Sequence, residues 1–125
     1  MATADVEESS SLLKLHQFTA ELMTVPVFFE ALKLKDSLFL WIGSETRTFS
    51  DLGIAMPIAP NDVTTTRLLG SVHLQTPSDL MARRLSTKLN KPVYLSYNIK
   101  MDDSVLMKTI EKKIHEEIVA KPECF

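Results

Sequence analysis

The sequence predicts an α+β domain: a mostly antiparallel sheet of about six strands, with two helices packed on one face and the other face available for dimerisation. Three observations carry that prediction. Five apolar, β-branched or aromatic stretches precede a change to helical spacing, and the order five strands, helix, strand, helix is that of a layered α+β fold. The chain has 125 residues, 45% of them hydrophobic, enough for one core and too few for two. DSLFLWIG, residues 36–43, is apolar on both sides of an extended chain, with Leu38, Leu40 and Ile42 on one and Phe39 and Trp41 on the other. Two helices can cover only one face, so the other needs cover from elsewhere.

The elements follow in order. MATADVEESSS at the start is serine-rich and acidic, so residues 1–11 read as a disordered tail and 12–125 as a single domain. Its acidic residues stand where a secretory signal needs basic ones, and no apolar run reaches the roughly 20 residues of a membrane helix. A cytoplasmic location, extending to the nucleus, is the expectation. LKLHQFTAEL from Leu13 reads as a first strand, and VPVFFEALKLK as a second, since Pro26 hinders a helix interior. Lys35 and Asp36 turn the chain into DSLFLWIG, the third strand of a meander.

Gly43 ends that strand, and the polar SETRTFSD predicts an exposed turn. LGIAMPIA resumes as a fourth strand, cut off by Pro57 and Pro60, and VTTTRLL forms a fifth that stops at Gly70. In TPSDLMARRLSTKLN the period changes. Thr76 can cap, Pro77 suits a first helical turn, Asp79 complements the positive helix end, and Met81, Leu85 and Leu89 recur every four residues. Asn90 and Pro92 end this helix. VYLSYN alternates as a sixth strand; Asp102 or Asp103 then caps a helix with Leu106, Ile110, Ile114 and Ile118 in one stripe, closed by Pro122.

Chemistry is thin. His16, His73 and His115 are isolated, so no catalytic residue is assigned, and EKKIHEE lacks the paired histidines of a zinc helix. Asp102 and Asp103 suit capping better than a metal. Three glycines, Gly43, Gly53 and Gly70, make no phosphate cradle, and no cofactor is expected. Cys124, the one cysteine, reads as an incidental thiol. A net charge of −2 removes the electrostatic footprint of a nucleic-acid or membrane binder.

What remains is a doubly apolar sheet. Leaving one face in water forfeits about 1.5 to 3 kcal/mol per large side chain, a sum comparable with the stability of a domain. A partner is the economical cover; a connection such as residues 71–77, with the N-terminal arm, is the alternative within one chain. The candidate partner interface is therefore Leu38, Phe39, Leu40 and Trp41, with Arg83, Arg84 and Lys88 as the best basic cluster for an acidic protein surface. Periodicity alone does not say which side of the third strand meets the helices. A rival reading is a small-ligand or enzymatic domain with a pocket between sheet and helices.

LHxF with Ala20 and Leu22, DSLFLWIG, Ala55 with Met56, Leu68 to Gly70, Ala82, Arg84, Leu85, Lys88, Asn90, Lys91, the SYN of Ser96 to Asn98, and Glu116, Glu117, Pro122 and Phe125 together carry a likeness. In this combination the chain resembles the proteasome assembly chaperone 4 family, small eukaryotic factors that help build the 20S proteasome. The likeness runs from Leu15 to Phe125 and thins over residues 44–63 and 71–79. It implies a non-catalytic chaperone that forms a heterodimer with proteasome assembly chaperone 3 and binds α-ring subunits, notably α5. Such a factor acts before the β subunits complete the half-proteasome and leaves as they arrive. A homodimer of the isolated chain, using the same face on itself, is compatible with this reading.

Overall fold

The computed structural model describes residues 13–70, 77–101 and 103–125. Six strands form one sheet: β1 (Lys14–Leu22), β2 (Val25–Lys33), β3 (Leu38–Gly43), β4 (Leu52–Ala59), β5 (Asp62–Leu69) and β6 (Val93–Tyr97). Helix α1 (Pro77–Leu89) lies between β5 and β6, and α2 (Ser104–Ala120) follows β6, ending in a 3-10 turn at Pro122–Cys124. The spatial order is β1-β2-β3-β6-β4-β5. The first three strands make the expected antiparallel meander. β6 inserts beside β3 in parallel, with Leu38 opposite Val93 and Leu40 opposite Leu95, so the sheet is mixed rather than purely antiparallel. A strand that returns after a helix can enter beside β3 only by such a crossover.

Register fixes which side of each strand is which. Leu38, Leu40 and Ile42 share a face with Val27, Phe29 and Ala31 on β2, Val93 and Leu95 on β6 and Ala55 on β4, all buried. Met81 and Leu85 of α1 and Leu106, Ile110, Ile114 and Ile118 of α2 close the same cluster from above. Both helices thus lie on one face, and period-four stripes meet period-two rows in one core. Leu38 and Leu40, offered by the sequence as interface candidates, have no exposed surface. The helices claim that side, which removes both from the partner interface.

Local chemistry explains the ends. Asp103 caps α2, its carboxylate accepting from Val105 N at 2.9 Å and Leu106 N at 3.1 Å. Asn90 takes the left-handed conformation after α1, φ 54°, and its N–H donates to Ser86 O at 2.8 Å. The proposed caps Thr76 and Asp102, and the disordered tail, lie outside the described residues. β4 covers LGIAMPIA as expected, running through Pro57 and ending before Pro60. Pro57 is tolerated because β6 pairs with β4 only at Gly53, Ile54 and Ala55, leaving its nitrogen without a ladder acceptor on that side.

Candidate interaction surface

The face away from the helices presents Leu15 on β1, Phe28, Glu30 and Leu32 on β2, Phe39 and Trp41 on β3, Tyr94 on β6, and Ile54 and Met56 on β4. Leu32, Phe39, Tyr94 and Ile54 line up across four strands, and Leu15 extends the row to the β1 edge. An uncovered sheet face normally alternates to polar residues; this row is apolar throughout.

Its centre is covered from within the chain by residues 44–51, which lie across β3 as a strap rather than standing out as an exposed turn. Trp41 Nε1 donates to Thr48 O at 3.0 Å. The Arg47 guanidinium sits 5.7 Å from the Trp41 ring and 5.6 Å from that of Phe28, and pairs with Glu30. Phe49 stacks on Phe39 at 6.1 Å, and Phe39 on Tyr94 at 6.4 Å. Trp41 is left 7% exposed, while Phe49 keeps 49% of its surface in water. The Trp41 ring crosses Gly43 so closely that a Cβ there would lie 2.4 Å from it. Glycine is what lets the ring lie down.

The strap is anchored by SYN. Asn98, nearly buried, accepts from Ser50 N at 2.8 Å through Oδ1 and donates from Nδ2 to Ser96 Oγ at 2.8 Å and Ile42 O at 3.3 Å. Ser96 Oγ donates to Asp51 O at 2.5 Å, and Tyr97 N to Asp51 Oδ2 at 3.0 Å. Asp51 also accepts from Arg67 at 2.5 Å, and Arg67 reaches Ser78 at 3.1 Å and pairs with Asp79, tying the strap to β5 and the start of α1. Burial pushes the Asp51 carboxyl up, against the Tyr97 N–H and the Arg67 charge. Asp79 is thereby fastened to β5 as well as placed at the helix start.

Of the basic cluster, Arg83 and Lys88 are exposed on α1. Arg84 binds Glu111 of α2 through two bonds of 2.6 Å, a fork that joins the helices. Burial raises Glu111, but the Arg84 hydrogen bonds and charge, with His115, outweigh it and hold the carboxyl below its ordinary range. Arg84 therefore serves first as an interhelical tie. Sequence reasoning missed Arg47, Phe49 and Asn98 as parts of this surface; SYN was the one signal, and its role becomes visible only when Ser50 is beside it.

The remaining candidates are structural. His16 bonds Glu117 of α2 at 2.8 Å and lies within 6.0 Å of Phe125. His115 is 3.4 Å from Glu111, and Cys124 is buried; His73 lies outside the described residues. Among the described residues there is no cluster of three or more metal-ligating side chains, and no helix long and apolar enough to cross a membrane. A groove of about 480 Å³ opens between the starts of α1 and α2, lined in part by Leu80, Ile99, Met101 and Met107. Its acidic groups Asp51 and Glu111 are committed to Arg67 and Arg84, and Asp103 to the first N–H groups of α2, which disfavours the pocket reading.

A family model described as Proteasome assembly chaperone 4 matches residues 26–99, the span from β2 through the strap and its Asn98 anchor to the end of β6. The protein of that name from Homo sapiens is 40% identical over 114 residues, 90% of this chain and 91% of that protein. The one from Mus musculus is 36% identical over 124 residues, 99% and 96% of the two chains. A chain from a solved structure described as a novel chaperone complex for yeast 20S proteasome assembly aligns with a TM-score of 0.59 at 18% identity, covering 90% of this chain and 96% of that one. At that identity the likeness is one of fold.

Proposed function

The chain belongs to the proteasome assembly chaperone 4 family, and we propose that it is a non-catalytic chaperone which pairs through its open sheet face with proteasome assembly chaperone 3. The pair then engages α-ring subunits, notably α5, early in ring formation. The observation that supports pairing is the apolar row from Leu15 to Ile54, flanked by Met56; the strap buries Trp41 beside the row and reaches the row itself where Phe49 stacks on Phe39. Aromatic and aliphatic anchors within a polar surround are what a specific, desolvated contact requires. Phe39 is the central pairing residue in this reading, and Trp41 supports it from beneath the strap. Leu38 and Leu40 are excluded by their burial.

For the ring contact the proposal keeps Arg83 and Lys88, exposed on the helical side, with Arg84 contributing only what its tie to Glu111 leaves free. The two surfaces lie on opposite sides of the molecule, so one partner need not displace the other. Co-expression with proteasome assembly chaperone 3 and tagged α5 tests the arrangement. Leu15→Asp with Met56→Asp should abolish the chaperone pair, whereas Arg83→Glu with Lys88→Glu should leave the pair and weaken capture by α5. Pairing that survives the sheet-face reversal would contradict the proposed interface.

A further inference from the structure

The open sheet face is interrupted by one charged pair. Glu30 stands on β2 between Gln17 of β1 and Trp41 of β3, one row from Leu32 and Phe39. Its Oε2 accepts from Gln17 Nε2 at 3.1 Å and from Arg47 Nη1. The strap lays the Arg47 guanidinium against the rings of Phe28 and Trp41, yet 53% of its side chain stays exposed. Two hollows of about 270 Å³ each flank the pair, one against Thr19 and Phe28, the other against Phe39 and Phe49, and Glu30 and Arg47 wall both. The backbone holds the arginine there under strain. Arg47 has φ 57°, a conformation that glycine and asparagine adopt more readily, and its N–H donates to Ser44 O at 3.1 Å. Strain of this kind collects at functional sites.

The other bonded arginines show what this one lacks. Arg67, with 7% of its side chain exposed, sets Nη1 on Asp51 and Nη2 on Asp79. Arg84 grips Glu111 with Nε and Nη2, each at 2.6 Å. Arg47 meets a carboxylate through Nη1 alone, and among the described residues no acceptor meets its Nε and Nη2 edge. A partner sheet laid on this face takes that edge out of water, where unpaired donors on a charged group are costly.

We propose that Arg47 is a specificity-determining residue of the pairing face, and that the partner sets an aspartate or glutamate carboxylate on its Nε and Nη2 edge. The contact completes an acid-arginine-acid arrangement of the kind Arg67 makes between Asp51 and Asp79. This inference rests on the pairing proposed above and supplies the chemistry of one of its contacts. The planar edge left open on Arg47 is the one Arg84 presents to Glu111, and its two parallel donors match a carboxylate. Glu30 walls both hollows and repels a polyanion, which disfavours a nucleic acid at this place. A partner that is apolar here leaves the edge unpaired and is rejected.

Titration calorimetry of the full chain with proteasome assembly chaperone 3 tests this. Arg47→Met should weaken the pair by about tenfold or more, whereas Arg83→Met, the same loss of charge on the helical side, should leave it nearly unchanged. Arg47→Lys keeps a positive charge at the position, and carbodiimide treatment of its pair should link the new amine to an aspartate or glutamate of the partner, located by mass spectrometry. That second readout separates a direct contact from an indirect effect through the strap. A wild-type pair that Arg47→Met forms equally well, or a link that reaches only Glu30 of the same chain, would overturn this inference and leave the pairing face standing. A wild type that forms no pair would overturn the pairing itself, and this inference with it.

Discussion

Asn98→Ala should detach the strap without unfolding the protein. The amide makes two bonds of 2.8 Å and one of 3.3 Å, and its loss leaves the Ser50 N–H without its acceptor. Ser96 Oγ keeps Asp51 O, and Ile42 O keeps the Asn98 N–H at 2.8 Å, so Ser50 carries most of the penalty. At a net 0.5 to 1.5 kcal/mol per neutral bond, with the marginal third bond discounted, the expected cost is about 1 to 3 kcal/mol. Urea unfolding measures it as a lower midpoint at unchanged slope. Trp41, the chain's one tryptophan, reports the strap separately: its ring is capped by Arg47 and bonded to Thr48 O, so release should shift native-state emission to the red. Ser50→Ala is the control, because the short bond to Asn98 comes from the Ser50 main chain, and stability and emission should hardly move. An Asn98→Ala protein with wild-type emission and a loss below about 0.5 kcal/mol would refute the strap as an anchored cover.

Gly43→Ala places a methyl 2.4 Å from the Trp41 ring and should cost about 1 to 3 kcal/mol in thermal or urea unfolding, with the Trp41 signal displaced. Met23 and Thr24 form the β1–β2 turn at φ 53° and 64°, so Met23→Asn with Thr24→Gly should stabilise the protein by about 1 kcal/mol in urea. Glu111 has its pKa lowered in the fold, so its contribution is present at neutral pH and lost as pH falls through the folded value. Arg84→Ala should lower stability at pH 7 and flatten that acid-side loss, measured as unfolding midpoint against pH.

Much of the fold was legible because its signals are local. The caps at Asn90 and Asp103, the stripe of Leu106, Ile110, Ile114 and Ile118, and the six strands all arise from neighbours in sequence. The parallel insertion of β6 was not, since VYLSY would alternate in the same way beside any strand. LGIAMPIA keeps its expected bounds although Pro57 lies inside it, because a missing donor matters only where a neighbouring strand would accept from it. The face of β3 could not be chosen from DSLFLWIG, which is apolar on both; pairing with β2 and β6 decides it. The strap shows a different limit. SETRTFSD is polar by composition, yet the Arg47 plane and the Thr48 carbonyl give cover to an aromatic ring that no hydropathy scale records. Arg84, read as a free cation, proved to be held by a carboxylate 27 residues away in sequence.

The central claim is that the row Leu15, Leu32, Phe39, Tyr94 and Ile54 is completed by a partner. Its most direct test is the mass by light scattering of the chain alone and mixed with proteasome assembly chaperone 3, with Leu15→Asp/Met56→Asp run in parallel. The account predicts a 1:1 species of the wild type, formed at the expense of any self-dimer and absent for the variant. A wild-type chain that stays monomeric in the mixture would mean that the strap suffices as cover, and would contradict the pairing face.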